Sequence, residues 1–148
     1  MRKIVATGEL KIVVTAPDGT VKHEQEVKNL VVTTGLGYIA SRMKDATATA
    51  MSHMAIGTGN TAAAAGNTTL GTESARVALT STTVTAAAIA YVATFPAGTP
   101  ASLTAITEAG LFNASSAGTM LCRTVFSVVN KDAGDTMSIT WTVTMAAP

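Results

Sequence analysis

Residues 136–145 alternate without interruption between apolar and hydroxylated side chains. The apolar set is Met137, Ile139, Trp141, Val143 and Met145, and the hydroxylated set is Thr136, Ser138, Thr140, Thr142 and Thr144. A period of two places the two sets on opposite faces of a β-sheet. One face is therefore predicted to lie in the core. The other is predicted to be wet, or to dock against something that tolerates threonine.

Two more strands are predicted upstream, so that 106–145 forms three strands joined by loops at 113–118 and 130–135. Between them, the two loops contain the Asn, Ser, Asp and Gly residues that turns use. Residues 119–129 are apolar at odd and even positions alike. That pattern favours a strand that is covered on both faces and is central in its sheet.

The composition supports a thin-layered β protein with a weakly solvated surface. The chain of 148 residues has 26 Thr and 27 Ala, and only 13% of its residues are charged. Threonine favours strands, and ordinary domains are about 25% charged. We therefore expect part of the surface to be covered by a partner or by copies of the same chain.

A β-hairpin is predicted near the N-terminus, with strands at 8–15 and 20–32. Ala16-Pro17-Asp18-Gly19 lies between them, and Pro-Asp-Gly favours a tight turn. The second strand is charged in its middle, which indicates at least one wet face. We interpret residues 1–32 as an arm and 33–148 as a β-sandwich domain, with a single domain over 1–148 as the alternative.

One short helix is predicted at 35–44. Its apolar residues Leu36, Ile39, Ala40 and Met43 have helical spacing. Thr34 is a candidate N-cap, and Arg42 and Lys44 lie where the helix dipole favours cations.

Further strands are predicted at 52–56, 75–85 and 88–95, which gives about eight in all. A long loop at 61–72 follows the first of them. Short strands separated by turn signals are typical of an all-β sandwich or jelly roll.

No motif in the sequence predicts catalysis, a cofactor or a metal. Gly57-Thr58-Gly59 lacks the lysine of a phosphate-binding loop, so a plain turn is favoured. His23 and His53 have no further ligand at metal-binding spacing. The single cysteine, Cys122, excludes an internal disulfide and is predicted to be a buried thiol.

Glu73, Arg76 and Glu108 are the charged residues weighed for chemistry. Two carboxylates could form a glycosidase pair, but a structural ion pair is favoured. If Glu108 is buried in its apolar phrase, it needs a partner such as Arg76 or Arg123. Trp141 could stack on a sugar, but its apolar neighbours favour a core position.

Charge and hydropathy exclude several classes of partner. The net charge is +1 and no basic run exists, which argues against nucleic-acid binding. No apolar run reaches the length of a membrane span. The apolar run after Arg2 and Lys3 is too short for a signal peptide. We therefore expect synthesis in the cytoplasm.

Several phrases of the sequence resemble small structural proteins of tailed bacteriophages. They are ITEAGLFN, TMLCRTVFS and GDTMSITWTVT, with NLVVTTGLGYIASRM and MSHMAIGTGNTAAAAGNTTLGTESARVAL upstream. The resemblance covers roughly 28–145. It implies a virion component, and the missing triad and metal-ligand spacings separately predict that the chain has no enzymatic activity.

The expected role is that of a cement or decoration protein on the outer surface of the capsid. As the resemblance implies, it would bridge major capsid subunits and associate with copies of itself, as a dimer or trimer. One alternative is a tail-fibre or baseplate adaptor, because ITEAGLF also resembles the attachment region of some tail fibres. A second alternative is a carbohydrate-binding module on the virion surface.

Overall fold

The computed structural model describes residues 3–44, 48–102 and 104–147. Nine antiparallel strands and one helix are present in that part of the chain. The strands are β1 Val5–Thr15, β2 Val21–Val31, β3 His53–Gly57, β4 Glu73–Ala78, β5 Ser81–Thr85, β6 Ala88–Phe95, β7 Thr104–Phe112, β8 Met120–Lys131 and β9 Thr136–Ala146. The helix, α1, spans Thr33–Lys44. The expected all-β class with one short helix is confirmed.

The strands form one curled sheet in the order β4-β3-β7-β8-β2-β1-β9-β6-β5. Its two halves, β2-β1-β9-β6-β5 and β4-β3-β7-β8, face each other across one core. Trp141 and Ile12 from the first half pack there with Met54 and Leu111 from the second. The halves are joined where β2 pairs with β8 over only two residues, at Leu30 and Val31.

The alternation in β9 is confirmed. The side chains of Met137, Ile139, Trp141 and Val143 are buried, whereas the hydroxylated residues between them are half exposed. The prediction that 119–129 is a central strand is also confirmed, because β8 lies between β7 and β2.

The N-terminal hairpin is present, but it is not a projecting arm. β1 pairs with β2 on one side and with β9 along its whole length on the other. Lys22, at the start of β2, also contacts the loop between β8 and β9. Its Nζ lies 2.7 Å from an oxygen of Asp132 and 2.7 Å from an oxygen of Asp135. These contacts make the hairpin part of the sheet and favour the single-domain alternative.

The residues expected as one strand at 75–85 form two strands, and this raises the count from eight to nine. β4 belongs to one half of the sheet and β5 to the other. Leu79 and Thr80 make the crossing. The N–H of Leu79 donates to Ser52 in one half, and that of Thr80 donates to Val92 in the other.

Helix α1 packs against β8, but its predicted contact face is only partly correct. Gly35 is buried and Tyr38 and Ile39 pack against the core, whereas Leu36 and Met43 are exposed. Thr34 is not the N-cap, since it lies inside the first turn and its hydroxyl donates to the carbonyl of Met120 at 3.1 Å. No helix in the described residues is long and apolar enough to cross a membrane.

The loop that connects β3 to β4, residues 58–72, folds back over the outer face of the second half of the sheet. Leu70 from this loop packs with Val32, Ala55, Phe112 and Met120 in a small second core. Part of the outer face of these strands is therefore covered by the chain itself.

Candidate functional site

The side chain of Glu108 anchors the 58–72 loop through hydrogen bonds to its backbone. It lies on β7, is fully buried and accepts hydrogen bonds from both ends of the loop. Its Oε1 accepts from the backbone N–H groups of Gly59 (2.9 Å) and Thr72 (2.7 Å), and its Oε2 accepts from that of Gly71 (2.8 Å). One carboxylate thus closes the base of the loop.

Arg123 on β8 completes this arrangement, which we name the Glu108 clasp: Glu108, Arg123 and the N–H groups of Gly59, Gly71 and Thr72. The guanidinium donates to Glu108 Oε2 through Nη2 at 2.8 Å and through Nε at 3.2 Å. It also donates to the carbonyl of Thr61 and to Asn67 Oδ1. Arg123 thereby holds the middle of the loop while Glu108 holds its ends.

The glycines of the phrase IGTGN are explained by the clasp. A Cβ atom on Gly59 would lie 2.5 Å from Glu108 Oε1, and one on Gly57 would clash with the carbonyl oxygen of Thr72 and lie 2.7 Å from Oε1. Only glycine allows the carboxylate to come this close to the backbone. The expected plain turn is therefore a backbone cradle for a side chain of the same protein.

The electrostatics of Glu108 keep it ionised. Burial by itself raises the pKa of this carboxyl, but the hydrogen bonds from Thr72, Gly71, Arg123 and Gly59 outweigh burial and lower the pKa below its ordinary value. A general acid in a glycosidase needs a raised pKa and access to substrate. The Glu108 carboxylate has neither.

The other two charged residues weighed from the sequence form a separate ion pair. Arg76 Nη2 lies 2.7 Å from Glu73 Oε1, and Nη1 donates to the carbonyls of Ala114 and Ala117. Its guanidinium also stacks over the Phe112 ring, 3.8 Å from the centroid. Of the two partners expected for Glu108, the structure therefore selects Arg123.

The two histidines lie on different strands, and each contacts a neighbouring polar side chain. His23 Nε2 is 2.9 Å from Gln25 Oε1, and His53 Nδ1 is 2.8 Å from Ser52 Oγ. The described residues contain no group of three or more His, Cys, Asp or Glu side chains that could hold a metal ion.

Cys122 and Trp141 are both buried, as predicted. Burial raises the pKa of the Cys122 thiol well above its ordinary value, so the thiolate that reactive cysteines need is disfavoured.

The first half of the sheet presents a broad uncharged surface, which we name the neutral face. It consists of the outward side chains of β5, β6 and β9. They are Ser81, Thr83, Thr85, Ala88, Ala90, Val92, Thr94, Thr136, Ser138, Thr140, Thr142 and Thr144. All are small and either hydroxylated or aliphatic, and all are exposed or half exposed.

The neighbouring outer surface of β1 and β2 is charged but balanced. Glu9 lies opposite Lys28 in register and Lys11 lies opposite Glu26, and Lys11 Nζ is 2.7 Å from Glu24 Oε1. A shallow groove of about 690 Å³ runs along the border between this surface and the neutral face. Its walls include Lys11 and Lys28 on one side and Thr140 and Thr142 on the other.

Comparison with known proteins gives no relative: no family model, no curated protein and no solved structure matches this chain.

Only part of the neutral face and of the Glu108 clasp could be predicted from the sequence. The hydroxylated parity of β9 predicted one row of the neutral face, but not its continuation across β6 and β5. The clasp was missed as a unit because Glu108 and Gly59 are far apart in the chain. The usable signal was a single glutamate in an apolar strand, together with paired glycines after another strand.

Proposed function

We propose that this chain is a structural protein of a tailed-phage particle, a cement or decoration protein on the outside of the head. In this role it bridges major capsid subunits and associates with copies of itself. The neutral face supplies the docking surface, and the sheet behind it supplies rigidity.

The observation that carries the proposal is the absence of charge over the twelve side chains of the neutral face. Solvated strands usually carry Lys and Glu, as β1 and β2 do here. A wide face of Thr, Ser, Ala and Val costs less to desolvate than a charged face, and its hydroxyls can form hydrogen bonds with a partner. Interface cores are likewise depleted of charge.

The phage-like phrases support the proposal in a second way, because they meet in one structural unit. MSHMAIGTGN provides Gly57 and Gly59, ITEAGLFN provides Glu108, and TMLCRTVFS provides Arg123. The resemblance therefore follows a set of residues that depend on one another physically.

The mechanism is multivalent binding. Each copy contributes a modest contact area, and linkage to other copies on a regular lattice raises the effective concentration at every contact. Dissociation then requires several contacts to open together, so the bound layer resists internal pressure.

A lysine placed in the neutral face tests the proposal. Thr142→Lys lies on β9, where the neutral face borders β1, and Ser127→Lys, at an exposed position on β8, is the matched control. Co-sedimentation with heads that lack this protein should show binding by the wild type and by Ser127→Lys. Binding should fall at least tenfold for Thr142→Lys. Equal binding by both variants would remove the neutral face as the docking surface.

The sugar-binding alternative finds little support in the aromatic residues, all six of which lie in the described part of the chain. Five of them, Tyr91, Phe95, Phe112, Phe126 and Trp141, are buried. Tyr38 is half buried and packs against the core, and its hydroxyl accepts a hydrogen bond from the N–H of Met51. No aromatic platform is exposed for stacking on a sugar ring.

A further inference from the structure

Strand β5 ends the sheet and leaves one side without a partner strand. Within the described residues it pairs with β6 only, and all five of its residues are exposed. In an antiparallel strand, alternate residues direct their backbone groups to opposite neighbours. About half of the N–H and C=O groups of β5 therefore point to the open side.

The open edge of β5 lacks the usual protection of an edge strand. Natural edges carry charge, proline or a bulge that prevents pairing with another chain. The sequence of β5, Ser-Thr-Thr-Val-Thr, contains no charge and no proline, and its pairing with β6 has no register shift. By contrast, the other end strand, β4, carries Glu73 and Arg76 and has a register shift against β3.

We propose that β5 pairs with β5 of a second copy of this chain, in an antiparallel arrangement about a two-fold axis at Thr83. This register places Thr82 opposite Val84 of the other copy and Thr83 opposite its own equivalent. It is self-complementary, as two-fold interfaces must be. By symmetry, Thr82 and Val84 form two such pairs across the axis, which would contribute roughly four backbone hydrogen bonds.

An apolar groove beside β5 extends the proposed contact beyond the paired strands. The groove has a volume of about 340 Å³, and Thr82 and Val84 line it together with Ile39 and Met43 of α1. Val84 is 68% exposed and Met43 is 76% exposed. In the two-fold arrangement, Thr82 and Val84 of each copy meet those of the other, so the two grooves become one apolar surface across the axis.

The charges near this surface do not oppose the pairing. Arg42 lines the groove, but its Nη1 donates to the carbonyl of Ala48 at 2.8 Å. A five-residue strand pair buries less than the roughly 1,600 Å² of a standard interface. We therefore expect a dimer at the weak, micromolar end of the range, which a lattice would reinforce.

Sedimentation velocity of the purified chain across micromolar concentrations tests the inference. The wild type should shift from monomer to dimer. Val84→Lys puts a charge beside the axis and should weaken the dimer at least tenfold, whereas Ala78→Lys, at an exposed position on β4, should leave it unchanged. Both positions are exposed, and melting curves would show that both variants fold.

Cross-linking provides an independent measurement. Thr83→Cys places two thiols across the two-fold axis, at the distance of a directly opposed strand pair, whereas Cys122 is buried and does not compete. Mild oxidation should convert Thr83→Cys to a covalent dimer much faster than Ala78→Cys. Equal rates, or a wild type that stays monomeric, would overturn the inference.

The inference rests on the self-association proposed above, but its tests need no phage particle. Loss of head binding in Val84→Lys, with a monomeric wild type, would show that the edge pairs with a shell subunit instead of a second copy. If the wild type does not dimerise, the proposal that the neutral face docks on the head is unaffected and is tested separately by Thr142→Lys.

Discussion

Replacing Glu108 with alanine should destabilise this protein more than almost any other single substitution. The change removes the acceptor for the N–H groups of Gly59, Gly71 and Thr72 and the counter-ion of Arg123. Arg123 then remains buried without its counter-ion, and the three N–H groups lose their acceptor at partly buried positions of the loop. The base of the 58–72 loop loses every contact that the clasp supplies.

The magnitude follows from the number and kind of these contacts. Breaking a buried ion pair by removing one partner costs about 3–5 kcal/mol, and each buried N–H left unsatisfied costs about 1–3 kcal/mol. Because the loop can relax and admit water, these costs do not add fully, and we expect about 4–6 kcal/mol. Whole domains are stable by only about 5–15 kcal/mol, so the variant should be barely folded.

Arg123→Met should cost less than Glu108→Ala. Methionine fills much of the space of the arginine stem, and Glu108 retains its three backbone donors. These three hydrogen bonds stabilise the ionised carboxylate and partly compensate for the loss of the Arg123 guanidinium. We expect about 2–4 kcal/mol from the broken pair.

Urea unfolding followed by the fluorescence of Trp141, the only tryptophan, measures these free energies. The control is Glu73→Ala, because Glu73 also lies opposite Gly57 in register but is exposed. Its loss should cost at most about 1 kcal/mol. Hydrogen exchange at Gly59, Gly71 and Thr72 gives a local readout, and it should accelerate in Glu108→Ala.

Two results would refute the reasoning about the clasp. One is a loss for Glu108→Ala no larger than that for Glu73→Ala. The other is a larger loss for Arg123→Met than for Glu108→Ala, since that would make Arg123 and not the carboxylate the main anchor of the loop.

Three further predictions concern the core, the hairpin and pH. Trp141→Ala should destabilise the fold by about 3–5 kcal/mol, seen as a lower melting temperature, and an unchanged melting temperature would contradict its core position. Deleting residues 1–32 removes β1 and β2 from within the sheet and should abolish cooperative unfolding in circular dichroism; a folded remainder would restore the arm interpretation. Because hydrogen bonds lower the pKa of Glu108 in the folded state despite burial, its contribution to stability is complete above the ordinary value of 4.5 and is lost as the pH falls through the folded pKa. The urea midpoint should therefore fall as the pH is lowered below 4.5, and it should fall less steeply in Glu108→Gln. Identical pH profiles for the two proteins would contradict this.

Local patterns in the sequence were sufficient to predict most strands. The alternation of β9 and the apolar character of β8 on both faces are properties of neighbouring residues, and the structure confirms both. The Pro17-Asp18-Gly19 turn likewise specified the hairpin, with Gly19 at φ 88°. In each case, the residues that decide the structure lie within a few positions of one another.

Contacts between distant segments could not be read in the same way. The hairpin was interpreted as an arm because β2 is charged, yet those charges pair with β1 across one face while the other face packs inward. The apolar residues of α1 were expected to pack inward, but Leu36 and Met43 remain exposed because Gly35 lies tight against the backbone of Leu121 and fixes which side of the helix meets the sheet.

The position of this chain in whole particles tests the central proposal most directly. Electron microscopy of intact phage should show its density on the outer capsid lattice, repeated where major capsid subunits meet, in paired copies joined at the β5 edge. Density confined to the tail would contradict the cement proposal and support the tail-fibre or baseplate adaptor.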